Sequence, residues 1–192
     1  MRIAAIFLLS ISCFGCGHLS VIQISSPSSS EAKAVVFDID GTLTPDVYSF
    51  FQARADAAKT VQAFADKGYK IIYLSTRIRQ LQAGIPRWLE RHGFPESNVH
   101  VAQTDADHDN PDIYKTRILK EYRSAGWQLI YAYGDSSTDF IAYEAAGITK
   151  ERVFALLREG KTSCEPGIWH ECLRGWTEHL GFVVSTPPAS SN

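Results

Sequence analysis

The sequence predicts a three-layer α/β domain: a mostly parallel five-stranded sheet with helices on both faces. Three observations predict it. Short β-rich apolar runs alternate with amphipathic helical stretches through residues 33–182. Glycines punctuate the helical stretches, at Gly68, Gly93 and Gly147. The 192 residues, 45% hydrophobic and 21% charged, suit one globular domain with its own core.

The elements follow in order. Lys33–Asp38 reads as a buried strand and Ala53–Lys67 as a helix stopped by Gly68. Lys70–Leu74 is the second strand. Gln80–His92 is a helix with Leu81, Ile85, Trp88 and Leu89 on one face and Gly93 as its stop. Val99–Ala102 is the third strand. Asp105 to Asn110 starts like a calcium loop, but Asn110 and Thr116 stand where that loop needs Gly and Glu, so it reads as a solvated acidic loop. Ile113–Ser124 is helical, Gln128–Tyr133 the fourth strand, Thr138–Ala146 a helix before Gly147, and Val153–Leu157 the fifth strand. Trp169, Leu173, Trp176 and Leu180 recur at helical spacing, which predicts a closing helix over Ile168–Leu180. Residues 183–192 read as a disordered tail.

The N-terminus has a different character. Arg2 precedes an apolar run from Ile3 to Phe14, too short for a comfortable membrane span but suited to an export signal over residues 1–16. Gly15-Cys16 resembles a bacterial lipoprotein processing site, which would make Cys16 a lipidated N-terminus. Cys13 and Phe14 depart from the usual residues there, and Ser12-Cys13 is a second candidate site. Residues 17–32 read as a Ser-rich tether. The expectation is an exported protein: periplasmic or a membrane-anchored lipoprotein if bacterial, otherwise secreted. In an oxidising compartment Cys164 and Cys172, eight apart, could close a small loop; the alternative is two buried thiols. A net charge of −2 with no basic stripe argues against a nucleic-acid partner.

In open parallel sheets the active site lies at the carboxyl ends of the strands. The first strand delivers Asp38 and Asp40 into a Gly41-Thr42 turn; alternate side chains of a strand share a side, so the two acids can converge. Acids held that close repel and need a cation. The second strand ends Ser75-Thr76-Arg77, hydroxyls at a helix start that suit an oxyanion. Lys115 and Lys120 share a helix, and Lys115, earlier in it, is preferred. The fourth strand ends Gly134-Asp135 with Asp139 four residues on. Arg77 can bind phosphate or pair with a neighbouring acid.

This order resembles the haloacid-dehalogenase superfamily of phosphotransferases over roughly Lys33 to Leu157. The resemblance implies a Rossmann-like fold with Asp38 as the nucleophile, forming an aspartyl-phosphate, and Asp40 as general acid and base. It implies Mg²⁺ held by Asp38, Asp135 and the backbone carbonyl of Asp40, with Asp139 supporting. Thr42, Ser75 and Lys115 would hold the phosphate. The segments Ile71–Arg77, Arg87–Leu89, His92–Pro95 and Ala132–Gly134 with Thr138–Tyr143 are similar to the lipin-type phosphatidate phosphatase domain. They are still more similar to the C-terminal domain of phosphatidylinositol transfer proteins, in which Lys115 has a counterpart. No folded module fits between Leu43 and Ala53, and Arg77 to Val99 holds one helix, so no large cap domain is expected. The implied activity is Mg²⁺-dependent phosphomonoester hydrolysis, with a membrane phospholipid such as phosphatidic acid as substrate. A general extracytoplasmic phosphatase for nucleotides or small phosphates is one alternative; a catalytically idle phospholipid-binding domain is the other.

Overall fold

The computed structural model describes residues 19–190; the predicted signal segment and Cys16 lie outside the described residues. The sheet is parallel throughout, with strands β1 (Lys33–Asp38), β2 (Lys70–Ser75), β3 (Asn98–Val101), β4 (Gln128–Gly134), β5 (Val153–Leu156) and β6 (Glu171–Leu173). Their order is β3-β2-β1-β4-β5-β6. Because β1 lies at the centre and every strand runs the same way, all carboxyl ends meet along one edge.

The pleat of β1 sends Val35 and Phe37 to one core and Ala34 and Val36 to the other. Helix α1 (Ala57–Asp66) and α2 (Ile85–Arg91) cover the first face with Val61, Phe64, Trp88 and Leu89. After the short α3 (Asp105–Asp109), helices α4 (Pro111–Ser124) and α5 (Ser137–Ala145) cover the second with Ile118, Leu119, Phe140 and Tyr143. A strand buried on both sides has no polar face to show, which is why these runs are continuously apolar. Among the described residues no large cap is inserted.

Four expectations are corrected. The sheet has six strands rather than five, because the segment predicted as a helix over Ile168–Leu180 instead forms β6, pairing Cys172 with Ala155 and Leu173 with Leu156. Gly175 interrupts any helix there, and Cys164 is bonded to Cys172, tying the preceding loop to the strand. The apolar side chains are still used, Leu173 from the strand and Trp176 from the segment after it, and both are buried. The stretch Gln80–His92 is split into a 3₁₀ turn at Arg79–Leu81 and α2, because Pro86 starts a new helix. The acidic loop is the helix α3, capped reciprocally by Thr104 and Asp107. Finally, the residues after 182 are ordered against the domain as far as 190. Helix α6 (Leu180–Ser185) packs on α1, Val183 and Ala189 are buried, and the Ala189 N–H donates to Lys67 O at 2.8 Å.

The Ser-rich stretch also lies on the domain over its described part. Trp127 Nε1 donates to Ser25 O (2.9 Å) and Gln128 Nε2 to Ser30 O (3.1 Å), while Leu19 and Ile24 pack against the two cores. Among the described residues no helix is long and apolar enough to cross a membrane.

An aromatic stack runs under the central strands: Phe37, Tyr133 and Phe154 lie near-parallel with centroids 5.1 and 5.2 Å apart. Trp176 rests on it, 5.0 Å from Tyr133, and its Nε1 donates to Thr42 O at 3.1 Å. The indole therefore couples the C-terminal segment to the turn after β1. Trp176→Ala is expected to lose about 3–5 kcal/mol, from lost burial plus the cavity left behind. Urea unfolding checks this; a loss below about 1 kcal/mol would show that the segment is dispensable to the core.

Two histidines are locked into this interior. His179 Nε2 meets Tyr133 Oη at 2.9 Å and His100 Nε2 meets Tyr122 Oη at 2.8 Å. Burial pushes both down to about 4, with Lys70 adding to the shift at His100. The unfolded chain takes up these protons first, so each histidine leaves stability intact above pH 6.5 and erodes it as pH falls toward 4. Unfolding midpoints across that window should fall less steeply in His179→Gln than in the parent; equal slopes would remove His179 from the account.

Candidate active site

The turn after β1 is built before any chemistry is added. Leu43 and Thr44 N–H groups both return to Ile39 O (2.9 and 3.1 Å), and the Gly41 N–H donates to Thr44 Oγ1 at 2.8 Å. Gly41 has φ +90°, a conformation side chains resist, and a Cβ there would lie 2.0 Å from Asp135 Oδ2. Glycine is required twice over: for the backbone and for the close approach of the β4 acid.

Around this turn four acids face three cations. Asp38 is buried at the end of β1 and accepts from Lys115 Nζ at 2.5 Å and from Thr42 Oγ1 at 3.0 Å. Lys115 reaches across from α4 and also contacts Asp139 Oδ1 at 2.5 Å. Lys120, its sequence rival, is exposed. Asp135 accepts from Thr42 Oγ1 (3.3 Å) and from Arg158 Nε. Asp40 turns the other way, accepting from Ser75 Oγ at 2.7 Å and from Arg77 Nη2 at 2.5 Å. Arg77 itself lies over the Phe50 ring, 4.8 Å from its centroid.

Asp139 is held as part of the α5 cap. Its Oδ2 accepts from the N–H groups of Asp135 (3.2 Å) and Ser136 (3.1 Å) and from Ser136 Oγ (2.7 Å). Gly134 makes room for it, since a Cβ at that position would come 2.6 Å from Asp139 Cβ. Asp139 is thus tied to backbone and lysine, and it orients its neighbours.

Electrostatics follow from burial. Burial pushes the Asp38 carboxyl well above the ordinary carboxylate range, and Lys115 opposes the shift. Burial would lower Lys115, but Asp139 and Asp38 outweigh it and keep the ammonium charged. Asp135 is raised to about 6 by burial and by Asp139, with Arg158 pulling the other way. Carboxylate oxygens of Asp38, Asp135 and Asp139 lie within 4.8 Å of one another. Three buried carboxylates this close together, offering only hard oxygen donors, fit a small divalent cation.

The predicted site residues converge as a set, but one contact differs from expectation. Ser75 and Arg77 hold the Asp40 carboxylate in this state, where a phosphate contact was foreseen for Ser75. Arg77 is paired with an acid, one of the two roles open to it. Three residues escaped the sequence reading. Arg158 follows β5 at the same edge of the sheet, and asking what β5 delivers, as was asked of β1, β2 and β4, would have found it. Arg54 straps the loop after β1 through Gly41 O, Pro45 O and Leu157 O at 2.7–2.9 Å. Gln82 Nε2 ties Arg77 O to Ala102 O, both at 2.8 Å. Nothing in the local sequence marks either of these as special.

The acids open into a cavity of about 400 Å³ with two unlike walls. Asp38, Asp40, Lys115, Asp135 and Arg158 form the polar floor. Val47, Tyr48, Phe50, Ile78 and Leu81 form an apolar side, of which Tyr48, Ile78 and Leu81 are exposed.

Comparison with known proteins agrees with this architecture. The family model described as the LNS2 domain of PITM 1–3 matches residues 35–157. Human membrane-associated phosphatidylinositol transfer protein 1 is 28% identical over 156 residues, which is 78% of this chain and 12% of that protein. The Drosophila melanogaster protein retinal degeneration B is 29% identical over 133 residues, 67% of this chain and 10% of that one. The chain therefore spans only about a tenth of the length of these relatives. Among solved structures, a HAD family hydrolase from Deinococcus radiodurans R1 with bound phosphate and sodium aligns with TM-score 0.55 and 15% identity, over 83% of this chain and all of that one. The cobalt-bound deoxy-D-mannose-octulosonate 8-phosphate phosphatase of Haemophilus influenzae aligns with TM-score 0.52 and 16% identity, over 81% and 88%. These structural likenesses establish the fold.

Proposed function

The chain belongs to the LNS2-domain family of PITM 1–3 and has the haloacid-dehalogenase-like phosphatase fold, and from that premise we propose a Mg²⁺-dependent phosphomonoesterase acting on a phospholipid such as phosphatidic acid. One observation carries the reading: two acids from one turn are held in opposed environments. Asp38 is buried against a lysine beside the other acids, and Asp40 stands apart on Ser75 and Arg77.

In the proposed reaction a carboxylate oxygen of Asp38 attacks phosphorus, and the bond from phosphorus to the ester oxygen breaks. Protonated Asp40 delivers its proton to the departing alkoxide. Asp40, now a base, takes a proton from water as that water attacks the aspartyl-phosphate, and the Asp38–phosphorus bond breaks to release phosphate. Lys115 offsets charge on Asp38 and the phosphoryl oxygens. Mg²⁺, held by Asp38, Asp135 and the Asp40 carbonyl, would supply the remaining charge neutralisation. Arg77 and Ser75 hold Asp40 as the carboxylate, the form that acts as base, and Asp40 leaves Arg77 to carry the proton it delivers.

The divided cavity supports an amphiphilic substrate. A phosphate reaching the acidic floor leaves its alcohol against Tyr48, Phe50, Ile78 and Leu81, an apolar lining that hydrocarbon can cover. A second reading rests on the relatives, which are named as lipid-transfer proteins: the domain binds a phospholipid head group without turnover. Phosphate release from phosphatidic acid in mixed micelles, from nucleotides and from p-nitrophenyl phosphate, each with and without Mg²⁺, tests both. Preference for the lipid is expected. Equal turnover of all three would leave a general phosphatase, and no release from any would leave the binding module. The leader and Cys16 extend this proposal: export with lipidation would hold the open site near a membrane.

A further inference from the structure

Arg158 is absent from the set of residues that the chemistry above requires, yet it pairs with Asp135, the acid β4 contributes to the floor. Asp135 cannot retreat from that pairing. Its carboxylate rests on the Gly41 backbone and is only 2% exposed. The base of the arginine is equally fixed: Arg54 donates to Leu157 O (2.9 Å) and the Glu159 N–H to Pro45 O (3.0 Å). The movable part is the guanidinium, whose side chain is 23% exposed and lines the same cavity.

Charge decides what that mobility is for. Asp38, Asp40, Asp135 and Asp139 against Lys115, Arg77, Arg158 and the half-buried Arg54, whose charge acts on Asp135, leave the floor without the net positive charge that a phosphate anion needs. A divalent cation supplies that charge, and more of it while Arg158 remains. The cation and the guanidinium both compete for Asp135, so they cannot both have it fully.

We propose that Arg158 is a positioning residue that neutralises Asp135 in the free protein and, when a divalent cation takes Asp135, swings to hold the oxygens of the incoming phosphate. Cation entry and anion binding are thereby coupled, each strengthening the other, as a guanidinium fork suits phosphate oxygens. This rests on reading the floor as a phosphate site.

Calorimetry on the full chain tests it, with MgCl₂ alone and then inorganic phosphate at saturating Mg²⁺. Arg158→Gln should bind Mg²⁺ about tenfold tighter, because nothing competes for Asp135, and phosphate about tenfold weaker, with most of the coupling lost. Arg158→Lys, which keeps the charge but not the fork, should fall between for phosphate; it serves as the test variant if the glutamine form does not melt cooperatively. If the variants bind Mg²⁺ no tighter than the parent, or phosphate equally well, Arg158 is only a structural partner of Asp135 and the proposal falls. If the parent itself binds neither ligand, the phosphate-site reading fails first.

Discussion

Asp38→Asn is expected to abolish Mg²⁺-dependent phosphate release, by at least about a thousandfold on every substrate that the parent hydrolyses. The amide cannot attack phosphorus, so no positioning elsewhere in the cavity compensates. Folding should survive, since Lys115 retains Asp139 as a charged partner and the amide oxygen can still accept from Thr42. Released phosphate and the thermal melt, measured on the same preparation, separate the two effects. If the parent exceeds this variant on no substrate, the enzymatic reading is lost and phospholipid binding stands in its place.

Lys115→Met should cost about 3–5 kcal/mol of stability at neutral pH. Lys115 is 3% exposed and its ammonium is shared by two buried carboxylates, so its loss leaves Asp38 and Asp139 facing each other without a cation. The sign of the pH dependence follows. Burial raises the folded value of Asp38, so its protonated form stabilises the fold and that contribution is lost as pH rises through the folded value. The deficit of Lys115→Met should therefore shrink as pH falls from 8 toward 5. Urea midpoints in the presence of a chelator read this directly, and adding Asp139→Asn should restore more than half of the loss. A deficit independent of pH would mean that packing of the lysine stem, rather than charge, sets its value.

Both predictions concern residues that could be named from the sequence, and the reason is local. Asp38 and Asp40 follow an apolar strand and enter a Gly-Thr turn; Asp135 follows another strand, and Asp139 stands three residues after Ser136, the spacing of a reciprocal helix cap. Covalent spacing along one element carries such information. The weaker reading of the C-terminal part has an equally physical cause. Trp169, Leu173, Trp176 and Leu180 fall at helical intervals, but the periodicity only records that these side chains recur. A neighbouring strand edge on β5 and the bond between Cys164 and Cys172 draw the segment into the sheet instead. Those competitors lie elsewhere in the chain.

The sequence by itself therefore determined the layered α/β class, the central acidic turn and which acids belong to it, because each depends on strand pleat, helix period and turn chemistry within a few residues. Only the tertiary structure decided the partners. It assigned Arg77 and Ser75 to Asp40, Lys115 to Asp38 and Asp139, and Arg158 to Asp135. It also set one apolar wall beside the acids. Charges from separate elements sense each other through distance and burial, and neither quantity exists until the parallel strands bring their carboxyl ends to a common edge.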